Sequence, residues 1–155
     1  GLRPGEFCRL RIADIDLSSG EIQVKPHRIR KTRPRIVIIS TKTSKAIWHY
    51  QKVSRKNCQL DAPAFLTERG HEMTPSALGS LVVDLGRRAE IPHANPYRFR
   101  HTFAIEYLRN GGDVFTLQRL LGHATLEMCR TYLSLAQTDI AAAHRRASPV
   151  DRWRL

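Results

Sequence analysis

Three side chains suited to anion binding fall on one face of a helix predicted from Pro96. Tyr97, Arg100 and His101 are spaced i, i+3 and i+4, so they share one side of that helix. Arginine presents a planar fork of donors that fits a phosphate group. A cation near a helix N-terminus opposes the helix dipole, which favours an anion bound there. The face predicts a phosphate site, with a solvated basic helix as the alternative.

The densest positive charge lies between Lys25 and Arg35. Six of these eleven residues are lysine or arginine and none is acidic. Each phosphate that such a run neutralises releases counterions, which gives salt-sensitive affinity for nucleic acid of any sequence. Aromatic residues do not interleave with the run, which disfavours single-strand binding by base stacking. A solvated loop is the alternative. The candidate DNA-binding residues are Lys25, Arg28, Arg30, Arg33 and Arg35.

A tyrosine able to act as a nucleophile follows a short motif. Leu121-Gly122-His123 is followed, nine residues after the histidine, by Tyr132. A tyrosine becomes a covalent nucleophile when its surroundings assist proton removal and stabilise the developing charge. A lone histidine or tyrosine is more often structural, so the motif gains meaning only beside the other two features.

Length and composition set the class of protein. The chain has 155 residues, with 26 Lys and Arg against 14 Asp and Glu, a formal net charge of +12. This size predicts one compact domain, and the charge favours a polyanion partner. An apolar fraction of 41% excludes a disordered basic tail. No apolar run approaches the roughly 18 residues of a membrane span, which excludes a transmembrane protein, and no membrane partner is expected. Three widely spaced cysteines predict free, buried or half-buried thiols rather than disulfides or metal ligands.

The hydrophobic pattern predicts a mainly α protein with a small antiparallel β-hairpin or sheet near the N-terminus. Apolar spacing at Phe7 and Leu10 indicates a first helix. Alternation indicates strands over Glu21–Val24 and Arg35–Ser40. The basic segment Lys25–Arg33 would join them as a hairpin loop.

Capping signals predict where the later helices begin. In chain order the signals are Thr43 or Ser44, Thr74 with Pro75, Asn95 with Pro96, Asp113, and Thr125. The expected apolar positions are Leu78, Leu81, Val82 and Leu85 on the second of these helices, and Phe99, Phe103, Ile105 and Leu108 on the third. We expect Phe99 and Phe103 to point into the core. The first of these helices would run to about Lys56, and a last helix would cover Asp139–Ala147.

In this order the features resemble the catalytic domain of the tyrosine recombinases, the phage integrase family. Each motif alone is weak, whereas five in this order and spacing are specific. The likeness spans Gly1 to about Leu135. The matching segments are Gly1-Leu2-Arg3-Pro4-Gly5-Glu6, Lys31-Thr32 before the strand at Arg35, Tyr97-Arg98-Phe99-Arg100-His101-Thr102-Phe103-Ala104, Leu121-Gly122-His123, and Tyr132.

The resemblance implies site-specific recombination or integration by type IB transesterification, without metal, nucleotide or other cofactor. Tyr132 would attack a phosphodiester, forming a 3′-phosphotyrosine and freeing a 5′-hydroxyl. A 5′-hydroxyl from a partner duplex would then attack, exchanging strands through a Holliday junction. The implied catalytic residues are Arg3 and Arg100 on the nonbridging oxygens, Lys31 as acid for the leaving 5′-oxygen, His123 and Tyr97 at the phosphate, and Tyr132, with Glu6 and His101 in support.

Several assignments keep an alternative. Tyr97 stands where the family most often has histidine, and a phenol is a poor base at neutral pH. His101 follows the catalytic arginine, where the family's histidine has a structural role. Lys25 competes with Lys31 as the acid. Glu6 would orient the Arg3 fork, or would be a solvated carboxylate at a helix start.

The resemblance also implies partners and a place. We expect double-stranded DNA, a homotetramer on DNA with a monomer or weak oligomer without it, and a cytoplasmic, nucleoid-associated protein of a prokaryote or mobile element. The tail Gln137–Ala147 would dock on a neighbouring protomer or pack within its own. Residues 1–155 would be a catalytic-domain fragment lacking its first helix and an N-terminal DNA-binding domain.

Three competing interpretations differ in their chemistry. A DNA-binding remnant of the same fold would have lost activity, and Tyr97 favours it. A metal-dependent nuclease or phosphatase would need paired carboxylates, but Asp14 and Asp16 point to opposite faces of an extended segment. A type IB topoisomerase shares the chemistry, but the Leu-Gly-His motif and short hairpin favour a recombinase.

Overall fold

The computed structural model describes residues 1–26, 34–136, 144, 148 and 150. Contacts divide the chain into two compact units, Leu2–Phe99 and Gly1 with Arg100–Leu155. Most of the predicted basic loop and the predicted tail helix lie outside the described residues. The fold is mainly helical with a small antiparallel sheet near the N-terminus, which confirms the predicted class. The elements are α1 (Pro4–Cys8), β1 (Ile15–Asp16), β2 (Glu21–Val24), β3 (Arg35–Ile38), α2 (Thr41–Ser54), α3 (Pro75–Arg88), α4 (Pro96–Arg109), α5 (Val114–Leu121) and α6 (Glu127–Ala136).

Within the described residues the sheet has three strands in the order β1-β2-β3, and neighbouring strands are antiparallel. Ile22 pairs with Ile15 on one side and Val37 on the other, and all three side chains are buried. Alternation along β2 predicted this burial correctly. The strand β1 was not predicted, because two residues are too few to show a period of two. The third strand ends at Ile38 rather than at the predicted Ser40.

Helix α2 begins earlier than its predicted caps. Ser40 is the N-cap, and its hydroxyl accepts a hydrogen bond from the Thr43 main-chain N–H at 3.3 Å. The prediction of Thr43 or Ser44 as the cap was therefore wrong. Three of the four residues from Ser40 to Thr43 are serine or threonine, so the sequence offers several cap positions, and the end of β3 selects the first of them.

Helix α3 begins as predicted, with the Thr74 hydroxyl accepting from the Ala77 N–H and Pro75 at the first helical position. Its buried face is narrower than expected. Val82 is 7% exposed, but Leu81 and Leu85 are 37% and 45% exposed. The expectation that both leucines are core positions was wrong, because α3 buries one stripe, along Val82 and Gly86.

The unit formed by Gly1 and Arg100–Leu155 has its own apolar core. Asp113 caps α5 as predicted, accepting from the Thr116 N–H at 2.9 Å, and Gly122 ends it in the left-handed region at φ 64°. A residue with a Cβ would be strained there. The core side chains are Ala104 and Leu108 of α4, Leu117 and Leu121 of α5, and Tyr132 of α6.

Helix α4 spans the boundary between the units, and its buried stripe is Arg100, Ala104 and Leu108. Phe103 lies beside this stripe and is half-buried against the core cluster. Phe99 is 67% exposed, so the prediction that it points into the core was wrong. At 100° per residue it lies a quarter-turn or more from the stripe that begins at Arg100.

Among the described residues, no helix is both long and apolar enough to cross a membrane. Cys8 and Cys129 are buried and Cys58 is half-buried, all three as free thiols, as the spacing predicted.

Candidate active site

Tyr132 is held in the apolar core rather than on the surface. It is 7% exposed and packs with Ala104, Leu108 and Leu121, among others. Cys129 precedes it by three residues on α6 and is 0% exposed. Residues at i and i+3 share a helix face, so α6 buries one face that carries both the thiol and the phenol.

The Tyr132 hydroxyl meets an imidazole. Its oxygen lies 2.9 Å from Nδ1 of His101, and the two ring centroids are 5.6 Å apart. His101 itself is exposed, on the turn of α4 next to Arg100. An acid–base group therefore sits at hydrogen-bonding distance from the one atom of the tyrosine that can attack a phosphorus.

His123 also contacts Tyr132, through its ring. The two rings stack, with centroids 6.2 Å apart and planes 15° from parallel. Nδ1 of His123 is 3.3 Å from the Cys129 sulfur. Burial raises the pKa of the Cys129 thiol, although the charge of Arg100 acts in the opposite direction. The sulfur therefore stays protonated at neutral pH and can donate a hydrogen bond to Nδ1 of His123.

Arg100 is buried in the same unit at 5% exposure. One terminal nitrogen donates to the Gly1 carbonyl and the other to the Leu121 carbonyl, each at 2.6 Å. Buried charges need such partners, since an uncompensated one costs several kcal/mol. These bonds fix the orientation of the guanidinium, and the second ties it to the residue two before His123.

In the other unit, Glu6 joins two arginines. It is 6% exposed and accepts from Arg3 Nη1 at 3.0 Å and from the Arg3 main-chain N–H at 2.8 Å. Both terminal nitrogens of Arg35 donate to its two oxygens, at 2.9 and 2.8 Å. The carboxylate is therefore buried and paired, and the alternative of a solvated carboxylate at the helix start is wrong.

The charge of Glu6 is strongly stabilised by these contacts. Burial alone would raise the pKa of the carboxyl group. Hydrogen bonds from Arg35 and from the Arg3 main chain, together with the charges of both arginines, outweigh burial and lower the pKa from 4.5 to about 2. Glu6 is ionised at every pH at which the protein would work, and it holds the Arg3 side chain by one of its terminal nitrogens.

The family model of the phage integrase family matches residues 1–139. This chain belongs to the phage integrase family. Tyrosine recombinase XerC of Pelobacter propionicus is 31% identical to it over 153 residues, which are 98% of this chain and 49% of that protein.

Solved structures show the same fold. The XerA recombinase superimposes with a TM-score of 0.77 at 31% identity, over 99% of this chain and 54% of that one. The Tn1549 transposon integrase, in complex with transposon right end DNA, gives a TM-score of 0.73 at 20% identity, over 94% of this chain and 55% of that one. The chain spans about half the length of the curated relatives it matches.

The phage integrase motifs fall in both units. Arg3 and Glu6 lie in one, and Arg100, His101, His123 and Tyr132 are brought together in the other. Tyr97, on the first turn of α4, is 52% exposed. Lys31, Arg28, Arg30 and Arg33 lie outside the described residues.

Two basic residues of the predicted DNA-binding run make intramolecular ion pairs. Arg35 holds Glu6, with 9% of its side chain exposed. Lys25 lies 2.5 Å from the buried carboxylate of Asp14, with 66% of its side chain exposed. Asp14 is thereby engaged as an ion-pair partner. Among the described residues, no group of three His, Cys, Asp or Glu side chains is placed to hold a metal ion.

Two contacts of the candidate site were not predicted from the sequence. The sequence could have predicted one side of the Cys129–His123 contact. Cys129 lies three residues before Tyr132 on the same helical face, so burial of Tyr132 implies burial of Cys129. The His101–Tyr132 contact had no such signal, because the two residues are 31 apart and lie on helices whose packing no local pattern predicts.

Proposed function

We propose that this chain cuts and rejoins double-stranded DNA at specific sites, as a recombinase or integrase, through a 3′-phosphotyrosine on Tyr132. The observation that carries the proposal is that two histidines contact Tyr132 in a chain of the phage integrase family. Its hydroxyl lies 2.9 Å from His101 and its ring stacks on His123. Covalent catalysis by tyrosine needs groups that manage its proton and the charge on phosphate, and these imidazoles are such groups.

The proposed role of each side chain follows from where bonds change and where negative charge builds on the phosphate. Tyr132 forms a bond to phosphorus, and the bond from phosphorus to the 5′-oxygen breaks. Arg3 and Arg100 bind the nonbridging oxygens, where negative charge builds. The fixed guanidinium of Arg100 supports this role, since its two main-chain bonds set its orientation before DNA arrives. His123 donates a hydrogen bond to the phosphate, and exposed Tyr97 does the same in place of the family's usual histidine.

The leaving 5′-oxygen needs a proton, and Lys31 is the proposed general acid. Its competitor Lys25 is engaged with Asp14 at 2.5 Å, which favours Lys31. A substrate with a 5′-sulfur leaving group needs no acid. Lys31→Ala should therefore be slow on ordinary DNA and fast on the sulfur substrate, and this recovery in Lys25→Ala instead would reverse the assignment.

The energy of the broken bond is kept in the tyrosyl ester, so rejoining needs no nucleotide, and the proposed reaction uses no metal or other cofactor. Rejoining is attack by a 5′-hydroxyl on that ester. The proposed partner is duplex DNA, which the net charge of +12 favours. Solved structures of the same fold support this choice, because the Tn1549 integrase is in complex with transposon right end DNA and the XerH site-specific recombinase is bound to a palindromic difH substrate.

Assembly and location complete the proposal. We propose a homotetramer on DNA, with a monomer or weak oligomer in its absence, acting at the nucleoid of a prokaryotic cell. Residues 1–155 supply the catalytic domain. Sedimentation with and without bound duplex tests the assembly, and a tetramer that forms equally without DNA would contradict it.

A nicked suicide duplex tests the function. After cleavage the short 3′ piece diffuses away, so the covalent protein–DNA product accumulates. We expect this product in EDTA as well as without it, and its loss in Tyr132→Phe. The matched control is Tyr50→Phe, which removes a hydroxyl that accepts from the Leu66 N–H at 3.1 Å and should leave the product unchanged.

One other function is favoured by a specific observation. The phenol of Tyr97 in place of histidine suits a DNA-binding remnant without activity. Tight, salt-sensitive duplex binding with no covalent product from any duplex, by the chain or by a longer form of it, would support the remnant and refute the recombinase.

A further inference from the structure

We propose that His101 is the general base of this enzyme. It takes the proton of the Tyr132 hydroxyl during cleavage and returns it during rejoining. The inference rests on the proposed function, because it assigns a step of that reaction. Its basis is the 2.9 Å contact between Nδ1 of His101 and the Tyr132 oxygen. A general base must lie within about 2.6–3.2 Å of the oxygen whose proton it takes.

The surroundings suit a base better than a structural histidine. Tyr132 is 7% exposed whereas His101 is exposed, so the imidazole connects a buried hydroxyl to solvent. A proton accepted from the phenol can leave through the ring to water. Arg100, which precedes His101 on α4, is itself anchored to two main-chain carbonyls at 2.6 Å.

His123 and His101 meet the tyrosine in different ways. His123 lies almost parallel to the phenol ring, and its Nδ1 is 3.3 Å from the Cys129 sulfur. His101 approaches the hydroxyl oxygen with its ring inclined at 48° to the phenol. A ring nitrogen that approaches the hydroxyl oxygen, as in His101, has the geometry for proton transfer. His123 stacks on the phenol ring instead, which fits its proposed role as a donor to the phosphate. Tyr97, being a phenol, is a poor base at neutral pH.

The step balances without any further reactant. The O–H bond of Tyr132 breaks and its proton passes to Nδ1 of His101, while the oxygen forms its bond to phosphorus. The bond to the 5′-oxygen breaks, and that oxygen takes a proton from the general acid. In rejoining, the 5′-hydroxyl gives a proton back to that acid, attacks phosphorus and expels the phenolate, which recovers its proton from His101.

The test compares single-turnover cleavage of one duplex by several variants of the whole chain. The duplex is a nicked suicide substrate selected from randomised sequences by the covalent product that it forms with the unaltered protein. We expect His101→Gln to slow cleavage by about 10²–10⁴-fold, the usual contribution of general acid–base catalysis. His49→Ala, at an exposed histidine of α2, is the control and should cleave at the unaltered rate.

Two further measurements distinguish a general base at position 101 from a histidine that only positions Tyr132. A 5′-sulfur leaving group should restore Lys31→Ala but leave His101→Gln slow, because the defect lies at the nucleophile. Trifluorotyrosine at position 132 ionises more readily than tyrosine and needs a base less. With it, the rate ratio between His101 and His101→Gln proteins should shrink, whereas a merely structural defect would persist.

The outcomes separate this inference from the function on which it rests. If the unaltered protein forms no covalent product with any duplex, both fall. If the unaltered protein forms the Tyr132 product and His101→Gln cleaves at the same rate, only the role of His101 as general base is refuted. A rate ratio unchanged by trifluorotyrosine, or recovery of His101→Gln on the 5′-sulfur substrate, would also overturn that role.

Discussion

Glu6 and Arg35 form a buried two-bond ion pair, with 4% of the carboxylate side chain and 9% of the arginine side chain exposed. The pair joins α1 to β3 across 29 residues of sequence. The same carboxylate holds Arg3 at 3.0 Å. An arginine that the sequence suggested for DNA therefore fixes a carboxylate that in turn orients a candidate catalytic arginine.

Glu6→Gln should be one of the more destabilising single changes in the chain. It removes the charge that two arginines share, and breaking one side of a buried ion pair costs about 3–5 kcal/mol. Urea denaturation followed by circular dichroism measures the loss. Glu127→Gln is the matched control, because the Glu127–Arg130 pair is 70% and 73% exposed and exposed pairs contribute about 0–1 kcal/mol. Equal losses in the two variants would contradict the account.

The same carboxylate should make stability depend on acid. The pKa of Glu6 in the folded protein, about 2, lies below its ordinary value of 4.5. Its contribution is therefore complete above pH 4.5 and is lost as the pH falls through about 2. The difference in unfolding free energy between the unaltered protein and Glu6→Gln should shrink over that interval. A difference that stays constant from neutral pH to below 3 would be inconsistent with the buried pair.

Two glycines of α3 should respond in opposite directions to alanine. A Cβ at Gly86 would collide with the Ala94 Cβ and lie 3.2 Å from the Ile91 carbonyl, whereas one at Gly79 would meet nothing within 4 Å. Gly86→Ala should cost about 1–3 kcal/mol through overpacking. Gly79→Ala should add up to about 1 kcal/mol, because alanine favours helix. The melting temperatures of the two variants and of the unaltered protein measure these changes. A higher melting temperature for Gly86→Ala would contradict the close packing of α3 against Ala94.

Salt dependence should distinguish Arg35 from the rest of the basic run. Arg28→Ala should lower the slope of log binding constant against log salt by about one, as loss of one phosphate contact does. Arg35→Ala should chiefly lower folding stability, since it removes two of the hydrogen bonds to the buried Glu6 carboxylate. Fluorescence anisotropy with a labelled duplex at several salt concentrations, beside urea denaturation, measures both. A full unit of slope lost in Arg35→Ala with unchanged stability would mean that this arginine contacts phosphate.

The thiols should react at different rates. Burial raises the pKa of both Cys8 and Cys129, and only thiolates react quickly with alkylating agents. Cys58, which is half-buried, should be alkylated first in the native protein. Mass spectrometry after brief iodoacetamide treatment shows the order, and labelling of Cys129 before Cys58 would contradict the burial of α6.

Local signals were sufficient for much of the fold. Thr74 with Pro75 and Asp113 cap their helices as predicted, because a cap depends on atoms within three residues. Where several possible N-cap residues stand together, as from Ser40 to Ser44, the local sequence does not select one, and the end of the preceding strand does. Phe99 was misplaced because its spacing from Phe103 fits a helix face without saying how far the core extends along that face.

Motifs predicted the candidate site residues, and their catalytic roles stay predictions, whereas their contacts could not be predicted from the sequence. The motifs named Arg3, Glu6, Arg100, His123 and Tyr132 in advance. Their partners come from residues distant in sequence, Arg35 for Glu6, and His101 for Tyr132. Such pairs depend on helix and strand packing, which neither periodicity nor capping encodes.

If Tyr132 is the nucleophile, it carries the DNA in the covalent product, and mapping the linkage identifies the residue. The covalent product of the suicide duplex is digested with nuclease and trypsin, and the peptide carrying the residual nucleotide is sequenced by mass spectrometry. We expect the nucleotide on Tyr132, within the tryptic peptide from Thr131 to Arg145. A nucleotide on Tyr97, within the peptide from Ala89 to Arg98, or on any other residue, would contradict it.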